Sequence, residues 1–593
     1  MKPILTYYMG FHDSSITIYE PDTDKMFVYE FDRIIGVKHS LFRQSNMISK
    51  DFVFCQDSVL DLYGSKEFSN VYIKFNTSNA FGDIPFLAER TAALGDFTGK
   101  VFVDDRIITT QDVDGAPHPL DNRIHHHDAH AWCGYGQSGF DNAFVISFDG
   151  GGDDTSFRTA TFRNKKQITG TNYGYHISRF YQSNAYALDE VYVNNSTGYS
   201  LDVAGKVMAM AAYANPKPRD VQSLVDRNRD FHKHRENLIT CDGYRVMAQE
   251  VFGIDDQRFG AYTASHFLEK FPINGGRVSI NGASQYTIAA TLQSFFEETI
   301  IDIIKEHFID DIKLHDNNLI LTGGSAMNVL ANEKIRQAFP DVNVYVPPNP
   351  EDGGLSVGMM FREMSRLNLL KKTDYDLRFA GPAFSMNDRD LHNRPKFFDN
   401  EVTIEEIGQR LRDGKVIGLI QGNIEVGPRA LGHRSIICDA SIRTAKDKLN
   451  STVKFREWFR PYAAACRKED CNKYFESSSF DNMEHMSYVA KVKPRYQNKL
   501  NAVTHIDDTT RLHVVDQETN PLFYDILTAF DGVLLNTSFN RRGEPIINNL
   551  VGALKVLART PLDALVLHHE ERYYWIEKND ARVVISGEDV SSD

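Results

Sequence analysis

Hydrophobic residues in the first two-thirds of the chain follow two alternating spacings. The run "NAFVISF" at 142–148 is continuously apolar, as in a buried strand, and "SFRTATF" at 156–162 alternates apolar and polar side chains. Residues 286–308 instead carry apolar side chains at helical spacing. The strand-like runs "NLILTGG" and "NVYVPP" follow, each leading toward a further helix. This alternation of strands and helices predicts an α/β fold.

A polar, irregular stretch from about residue 366 to residue 403 interrupts this pattern and is interpreted as a domain connection. A second α/β unit follows, beginning with a helix in "TIEEIGQRLRDG" and a strand in "KVIGLIQG". A chain of 593 residues is too long for one hydrophobic core. We therefore predict two domains, residues 1–370 and 371–593.

The composition of the chain argues against binding to nucleic acid or to membranes. The chain carries 66 Lys and Arg against 80 Asp and Glu, a formal net charge of −14, and it has no basic tail. This balance disfavours non-specific binding to duplex DNA or anionic membranes, but it leaves room for a local basic pocket. No apolar run approaches the roughly 20 residues that cross a bilayer, and the six cysteines form no CxxC pair. We expect no membrane association, reduced thiols and a cytoplasmic location.

The segment "IHHHDAHAWCGYG" at 124–136 contains a candidate metal half-site. On a helix, His126 and His130 are four residues apart and share a face, an arrangement often found in sites for Zn, Fe or Ni. Two ligands do not complete a metal site. A solvated, histidine-rich helix start without a metal therefore stays open at this point.

Glycine turns after strands add carboxylates and phosphate-binding geometry. Asp149 ends a strand just before "GGGDD", and Asp352 lies in a similar turn in "NPEDGGLSVG". Gly151 lies in the first of these turns, where backbone N–H groups can approach phosphate oxygens. A third turn, "LTGGSAMN" at 321–328, joins a strand to a helix whose N-terminus could hold a nucleotide. An ordinary hairpin turn explains each feature alone, whereas together they predict a nucleotide–metal site.

The second domain concentrates cations in short motifs that also contain glycine, proline and aromatic residues. Guanidinium groups bind phosphate bidentately, lysine supplies a compact charge, and the hydroxyls and amides of "NTSFN" suit the remaining oxygens. Surface salt bridges are the alternative for any single arginine. The composition of the motifs favours an anion pocket, with the candidate cations Arg429, Arg434, Lys454, Arg456, Arg460, Arg511, Arg541 and Arg542.

Motifs distributed over nearly the whole chain resemble the O-carbamoyltransferase family, whose members modify nodulation factors, aminoglycosides and cephem antibiotics. The N-terminal motifs include "HHDAHAWCGYGQSGF", "SFDGGGDDTS", "AGKVMAMAAYA" and "TGGSAMNVLAN". The C-terminal motifs include "GPRALGHRS", "KFREWFRPYA" and "LLNTSFNRRGEPII", and their order is highly specific. The resemblance implies an N-terminal actin-like ATPase (ASKHA) domain fused to a C-terminal α/β domain similar to threonylcarbamoyl-adenylate synthases.

The resemblance also implies a reaction in two steps. The C-terminal domain would use ATP, with Mg²⁺, and carbamoyl phosphate to make carbamoyl-adenylate and release pyrophosphate. An acceptor hydroxyl would then take the carbamoyl group in the N-terminal domain, and AMP would leave. The expected acceptor is a small molecule such as a sugar or secondary metabolite, and a hydroxymethyl-pyrimidine nucleotide, free or in nucleic acid, stays open. A homodimer is expected from base rates alone.

Matching motifs carry the family's site residues onto this chain. The iron ligands are matched by His126, His130, Asp149 and Asp352, so the resemblance favours a site for Fe(II) or another divalent metal. The nucleotide-binding turn is matched by Gly323, Gly324 and Asn328. The carbamoyl-phosphate and adenylate pocket is matched by Arg429, Lys454, Arg460, Arg511 and Ser538, the first three being candidates for catalysis. His12 matches a histidine near the transfer centre and is the candidate general base.

Three positions depart from the family's pattern. Ala209 replaces a glycine, Gly36 stands where an arginine is usual, and Asp508 occupies a glycine position. None is a proposed ligand, so we expect catalysis to be retained and the choice of acceptor to differ.

Two other functions stay open. The acidic balance disfavours threonylcarbamoyl transfer to tRNA, and a non-catalytic actin-like nucleotide-binding scaffold leaves the C-terminal cations unexplained.

Overall fold

The computed structural model of the protein describes most of the chain. The described residues are 1–9, 12–38, 55, 58–65, 68–75, 100–103, 106–108, 124–152, 155–185, 188, 191, 202–222, 225–226, 285–384, 398–579 and 581. They form three β-sheets with helices packed against them. Part of the predicted domain connection, 385–397, lies outside these residues. Within the described ranges, no helix combines the length and apolar character that crossing a bilayer requires.

The two N-terminal sheets share one topology. In each, three antiparallel strands are followed by two parallel strands that add to the free side of the first strand. The first sheet then ends with one further antiparallel strand. The first sheet has the order β3-β2-β1-β4-β5-β6, with β1 (Ile4–Met9), β2 (Ser15–Glu20), β3 (Lys25–Glu30), β4 (Asn70–Phe75), β5 (Lys100–Val103) and β6 (Arg106–Ile108). The second has the order β11-β10-β7-β8-β9, with β7 (Asn142–Gly152), β8 (Thr155–Arg163), β9 (Lys166–Tyr173), β10 (Asn318–Thr322) and β11 (Asn343–Tyr345). This duplicated sheet confirms the expected actin-like arrangement and the strands predicted within it.

Helices of the N-terminal domain cover these sheets. They are α1 (Phe31–Ile35), α2 (His126–Ser138), α3 (Ile177–Ala185), α4 (Val203–Ala211), α5 (Gln285–Ile303), α6 (Ile309–Lys313), α7 (Val329–Ala338) and α8 (Leu355–Arg366). One π-helical turn, Ile304–Phe308, joins α5 to α6, which confirms the helix predicted at 286–308. The Phe296 ring stacks on Phe148 of β7 with centroids 6.2 Å apart, because the apolar positions of α5 recur on one helical face.

Helices α2 and α8 cross at very short distance. A Cβ added to Gly358 of α8 would lie 1.7 Å from the carbonyl oxygen of Ala129 in α2. A Cβ added to Gly136 would lie 2.4 Å from the Phe361 ring. Because only glycine permits this approach, α8 brings the 3₁₀ turn at its N-terminus, Asp352–Gly354, against the start of α2.

The C-terminal domain is built on one mixed ten-stranded sheet with the order β12-β21-β20-β13-β14-β19-β15-β18-β17-β16. Its strands are β12 (Glu401–Val402), β13 (Ile417–Ile420), β14 (Arg434–Asp439), β15 (Ala463–Arg467), β16 (Phe475–Glu476), β17 (Val489–Val492), β18 (Thr509–Val515), β19 (Leu534–Ser538), β20 (Ala564–His569) and β21 (Arg572–Glu577). Its helices are α9 (Ile404–Arg412), α10 (Ala445–Thr452), α11 (Cys471–Tyr474), α12 (Pro494–Gln497), α13 (Pro521–Phe530) and α14 (Leu550–Arg559). The predicted helix α9 starts where Thr403 and Glu406 exchange side-chain to backbone hydrogen bonds of 3.2 and 2.8 Å.

The two domains meet along β11 and the segment that follows it. The Tyr488 hydroxyl donates to the Val344 carbonyl oxygen at 2.8 Å, and His485 Nε2 donates to the Val346 carbonyl oxygen at 2.5 Å. The Arg336 guanidinium lies 4.3 Å from the centre of the Tyr488 ring. These buried contacts hold the C-terminal domain against β11 and the segment that leads to Asp352.

Candidate functional site

The structure brings the four predicted metal ligands together from three elements. His126 and His130 project from the first two turns of α2, Asp149 lies near the end of β7, and Asp352 begins the turn before α8. Their ligand atoms all lie within 4.8 Å of one another. His130 Nε2 is 3.1 Å from His126 Nε2 and 3.4 Å from both Asp149 Oδ2 and Asp352 Oδ1. Residues separated along the chain thus form one cluster.

The donor set of this cluster suits a divalent transition metal. Two imidazole nitrogens and two carboxylates that converge are ligands for Fe(II), Zn or Ni. The two Nε2 atoms face each other at 3.1 Å, which requires a proton or a cation between them. A Cβ on Gly152 would lie 2.3 Å from His126 Cδ2, so the glycine turn makes room for this ring. The residues present therefore fit the metal that the resemblance implies.

Charges within the cluster favour protonated histidine and ionised aspartate when no metal is bound. Burial disfavours the charged imidazole of His130, but hydrogen bonds to Asp149 and Asp352 outweigh burial and raise its pKa to about 9. Burial disfavours the ionised carboxyl of Asp352, but the charge of His126 and the hydrogen bond from His130 hold its pKa below the usual range. A metal ion would therefore compete with the proton on His130.

His12 lies at the rim of the cluster. Its Nδ1 is 3.0 Å from Asp13 Oδ2 and 4.0 Å from Asp352 Oδ2, and the Tyr8 hydroxyl donates to the same Asp352 oxygen at 3.0 Å. Burial lowers the pKa of His12, but the hydrogen bond to Asp13 and the charges of Asp352 and Asp149 raise it to about 10. A bound divalent cation opposes that positive charge, so the predicted role of His12 as a base depends on a loaded site.

The predicted nucleotide turn lies beside the cluster. Gly323 has φ 87°, and an added Cβ would lie 2.3 Å from the Phe148 carbonyl oxygen, so this turn requires glycine. The Gly324 N–H donates to Asp149 Oδ2 at 2.8 Å. Gly151 lies two residues beyond Asp149 at the end of β7. The turn and the cluster are thus directly connected.

The Asn328 side chain is already engaged in hydrogen bonds within the N-terminal domain. Its side-chain oxygen accepts from Ala331 N at 3.1 Å and caps α7. The same amide exchanges two hydrogen bonds of 3.0 and 3.1 Å with Gln293. A nucleotide contact from Asn328 would have to replace one of these bonds, so its binding role stays a prediction.

Lys454 and Ser538 are joined at one side of the C-terminal cation cluster, which consists of Arg429, Lys454, Arg456, Arg460 and Arg511. The Lys454 ammonium group donates to Ser538 Oγ at 3.2 Å and to Asn540 Oδ1 at 2.6 Å. Ser538 Oγ donates to Asn540 Oδ1 at 2.7 Å. Sequence reasoning named Asn540 only as part of "NTSFN", and the structure shows that it fixes both predicted residues.

The predicted guanidinium groups lie close enough to repel one another. Burial, followed by the positive charges of Arg429, Arg456 and Arg460, holds the pKa of Arg511 well below its usual range. Burial lowers the pKa of Arg429 to about 10, Glu351 opposes that shift and Arg460 adds to it. Arg511 Nε is buried without a hydrogen-bond partner in the described part of the chain. Cations gathered with so few local acceptors are suited to bind a polyanion.

Arg434 belongs to the protein interior and not to this pocket. Its side chain is 0% exposed, NH1 donates to the Gln421 carbonyl oxygen at 2.6 Å, and NH2 donates to the Gly422 carbonyl oxygen at 3.1 Å. Glu425 Oε1 accepts three backbone N–H groups of the same loop at 2.7 to 2.9 Å. The inclusion of Arg434 among the anion-binding candidates was therefore wrong, because its guanidinium closes the loop that presents Arg429.

Glu351 lies between the metal-ligand cluster and the arginines. It precedes Asp352, and its carboxylate attracts Arg429 when it is ionised. A Cβ on Gly353 would lie 3.0 Å from Glu351 Oε1 and 3.8 Å from Glu30 Oε1, so both carboxylates face the same space. Burial and the charge of Glu30 raise the pKa of Glu351 to about 8. Sequence reasoning missed both glutamates. The "NPEDGG" motif could have indicated Glu351, but nothing local indicated Glu30.

The three positions that depart from the family's pattern have distinct local roles. Gly36 ends α1 with φ 79°, and Asp508 adopts φ 65° in a turn, a conformation that favours glycine but that aspartate tolerates. Ala209 is 6% exposed in α4, and its carbonyl oxygen accepts from His505 Nε2 at 2.9 Å. The expected change in acceptor choice stays a prediction.

Two family models match most of the chain. The model described as Carbamoyltransferase N-terminus matches residues 51–360, and that described as Carbamoyltransferase C-terminus matches residues 408–573. Nodulation protein NolNO of Sinorhizobium fredii is 30% identical over 467 residues, covering 75% of this chain and 62% of that protein. The 3'-hydroxymethylcephem-O-carbamoyltransferase of Streptomyces clavuligerus is 30% identical over 360 residues, covering 59% of this chain and 61% of that protein.

The aligned regions thus span less than two thirds of the length of either relative. Among solved structures, the T. kodakarensis HypF crystal structure is 16% identical with a TM-score of 0.31, covering 63% of this chain and 49% of that chain. The family matches extend over most of both domains and include the helix that carries the paired histidines and the segments that carry the clustered cations. On these matches, the chain belongs to the carbamoyltransferase family.

Proposed function

We propose that the protein is an ATP-dependent O-carbamoyltransferase that makes carbamoyl-adenylate in its C-terminal domain and consumes it in its N-terminal domain. The observation that supports this most strongly is the packing of the loop that carries Arg429 on the segment that leads to Asp352. A Cβ added to Gly427 would lie 2.4 Å from the Pro348 carbonyl oxygen, and the Gly427 N–H donates to Glu30 Oε1 at 2.7 Å. Family membership accounts for the class of reaction. The adjacency of the two clusters accounts for an intermediate that passes from one to the other without release.

In the first half-reaction, the C-terminal cations would hold carbamoyl phosphate and the phosphates of ATP. Atom balance requires water: carbamoyl phosphate gives carbamate and inorganic phosphate, and a carbamate oxygen then displaces pyrophosphate from the α-phosphorus of ATP. Arg429, Arg460 and Arg511 would neutralise the charge that develops on the departing pyrophosphate. Lys454, held by Ser538 and Asn540, would supply a point charge at the same place.

In the second half-reaction, an acceptor hydroxyl attacks the carbamoyl carbon and the bond to AMP breaks. The turn at Gly323 would place the nucleotide beside Asp149. His12 would take the proton of the hydroxyl, with Asp13 orienting its ring through Nδ1. A divalent metal held by His126, His130, Asp149 and Asp352 supplies Lewis acidity toward the adenylate when it is bound.

The acceptor we propose is a small molecule with a free hydroxyl group. The support is the 3'-hydroxymethylcephem-O-carbamoyltransferase, whose name describes transfer to a hydroxymethyl group on a cephem. The net charge of −14 disfavours a long nucleic acid. A hydroxymethyl-pyrimidine nucleotide is the second class of acceptor to be tested.

Carbamoyl-phosphate-dependent exchange of labelled pyrophosphate into ATP tests the first half-reaction. The full chain with Mg²⁺ should catalyse exchange, and Arg429→Met should abolish it. Arg443→Met is the matched control, because Arg443 is an exposed arginine of the same domain outside the cation cluster. ATP binding without any exchange would contradict the proposal and favour a nucleotide-binding scaffold.

An acceptor panel read by mass spectrometry tests the second half-reaction. The panel contains sugars, a cephem with a hydroxymethyl group, hydroxymethyl-pyrimidine nucleotides and tRNA, each with ATP and labelled carbamoyl phosphate. One added carbamoyl group on a small-molecule hydroxyl is the expected result. Labelling of tRNA alone would contradict the proposed acceptor.

A further inference from the structure

Helix α4 of the N-terminal domain lies directly on the loop of residues 454–460, which forms one wall of the cation cluster. The carbonyl oxygen of Ala209 in α4 accepts from His505 Nε2 at 2.9 Å. Tyr213, just beyond the helix, packs edge-on against Trp458 of the loop with ring centroids 5.1 Å apart. An N-terminal element therefore supports a loop that carries three of the predicted anion-binding side chains, Lys454, Arg456 and Arg460.

Lys206 of α4 forms a buried ion pair with Glu457 of this loop. Lys206 Nζ lies 2.9 Å from Glu457 Oε1, and the two side chains are only 6% and 12% exposed. Lys206 Nζ also donates to the Val191 carbonyl oxygen at 3.3 Å. The other carboxylate oxygen, Glu457 Oε2, is 3.9 Å from Arg460 NH1, which is too far for a hydrogen bond. The carboxylate thus bonds to Lys206 and stays beyond hydrogen-bond distance of Arg460.

This separation matters because Arg460 must keep its charge available to a ligand. Arg460 is surrounded by like charges, since it contributes to the repulsion felt by Arg429, Lys454 and Arg511. A carboxylate bonded bidentately to Arg460 would neutralise its charge and occupy the donors that bind phosphate. Without the ammonium group at Oε1, the buried Glu457 carboxylate would gain most by turning to Arg460.

We propose that Lys206 is a positioning residue for the anion pocket: it holds Glu457 away from Arg460 and so keeps that guanidinium available to carbamoyl phosphate and pyrophosphate. The inference rests on the proposed function for the identity of the substrate, whereas the anion pocket can be tested by itself. It assigns the N-terminal helix α4 a part in the C-terminal half-reaction.

Lys206→Met removes the ammonium group while keeping a side chain of similar length. In the full chain, the Kd of inorganic pyrophosphate measured by titration calorimetry should rise about tenfold, the effect of one charge-assisted hydrogen bond lost. The KM for carbamoyl phosphate in the exchange assay should rise by a similar factor, with kcat changed by less than about threefold. Lys206→Arg should retain near-normal affinity. Lys217→Met is the matched control, because the Lys217 side chain is 49% exposed and lies outside the pocket.

A double variant separates positioning from a merely structural role. In Lys206→Met combined with Glu457→Gln, no carboxylate remains to neutralise Arg460, so pyrophosphate affinity should return to within about threefold of wild type. A double variant as weak as Lys206→Met, or unchanged affinity in Lys206→Met, would overturn the proposal. If Lys206→Met does not fold, Glu457→Gln alone decides: retained pyrophosphate binding supports the proposal, and lost binding overturns it.

The same measurements distinguish this inference from the proposed function. A wild-type chain that catalyses no carbamoyl-phosphate-dependent exchange would refute the proposed reaction. The pyrophosphate titrations of the single and double variants would still decide whether Lys206 positions Arg460. A wild-type chain that does not bind pyrophosphate at all would overturn the inference together with the anion pocket.

Discussion

Replacement of Arg511 by methionine should make the protein more stable while weakening its binding of anions. The guanidinium lies among Arg429, Arg456 and Arg460, and its Nε has no hydrogen-bond partner in the described part of the chain. Burial and this repulsion hold the pKa of Arg511 well below its usual range, which means that folding disfavours the charged form. Because a guanidinium keeps its charge in proteins, replacement by methionine removes that cost.

The two effects can be given magnitudes. Replacement of a buried, poorly compensated charge by an apolar side chain of similar size commonly stabilises a protein by about 1–4 kcal/mol, and partial exposure of Arg511 places the expected gain at the lower end. A charge-assisted hydrogen bond to a phosphate oxygen contributes about 1.5–3 kcal/mol. Loss of that bond should raise the Kd of pyrophosphate about 10- to 100-fold.

Thermal unfolding of the full chain, with and without pyrophosphate, measures both effects. Arg511→Met should melt at a higher temperature than wild type when no anion is present, and pyrophosphate should raise its melting temperature less. Arg443→Met, a change at an exposed arginine, should alter neither quantity. A variant that melts lower than wild type and keeps the full pyrophosphate-induced rise would refute the assignment of Arg511 to an anion pocket.

Four further predictions concern the N-terminal site. Fe(II) must displace a proton from His130, whose pKa is raised to about 9 despite burial. The affinity of the protein for Fe(II), measured by anaerobic titration, should therefore increase up to about pH 9. An affinity that does not change with pH would contradict this. In the metal-free protein, the same raised pKa stabilises the fold below the ordinary value of 6.5, and this stabilisation should be lost as pH rises through about 9 in urea unfolding. His12→Ala should slow carbamoyl transfer about 10²- to 10⁴-fold without affecting pyrophosphate exchange, and unchanged transfer would remove its role as a base. Gly323→Ala should weaken ATP binding in a fluorescence titration, because the added Cβ would lie 2.3 Å from the Phe148 carbonyl oxygen. Gly174→Ala is the control and should bind ATP normally, because no atom lies within 4 Å of its added Cβ.

Local pattern was sufficient for the elements that carry the site. Strand β7 was predictable because a strand buried on both faces is continuously apolar. Helix α5 was predictable because burial of one helix face requires apolar residues at helical spacing. The start of α9 was predictable because Thr403 and Glu406 stand at the spacing of a capping box. Such signals depend only on residues a few positions apart, so no tertiary information was needed.

The candidate metal ligands were only partly accessible to such reasoning. His126 and His130 share a helix face, so their spacing indicated a half-site. Their association with Asp352 depends on the close crossing of α2 and α8, which Gly358 permits. Spacing alone did not decide whether a metal binds. The family resemblance suggested the full set of four ligands, and the fold shows that the four side chains converge.

The sequence by itself determined which chemical groups the chain offers: imidazole pairs, carboxylates after glycine turns, and arginines within motifs of one family. Only the tertiary structure decided what each group faces. Arg429 and Arg434 stand in one short motif, yet the first lies near Glu351 and the second is enclosed by backbone carbonyl oxygens. The reason is that the energy of a charge depends on the dipoles and charges within a few ångströms of it. For Glu351, Glu457 and the arginines, those neighbours come from distant parts of the chain.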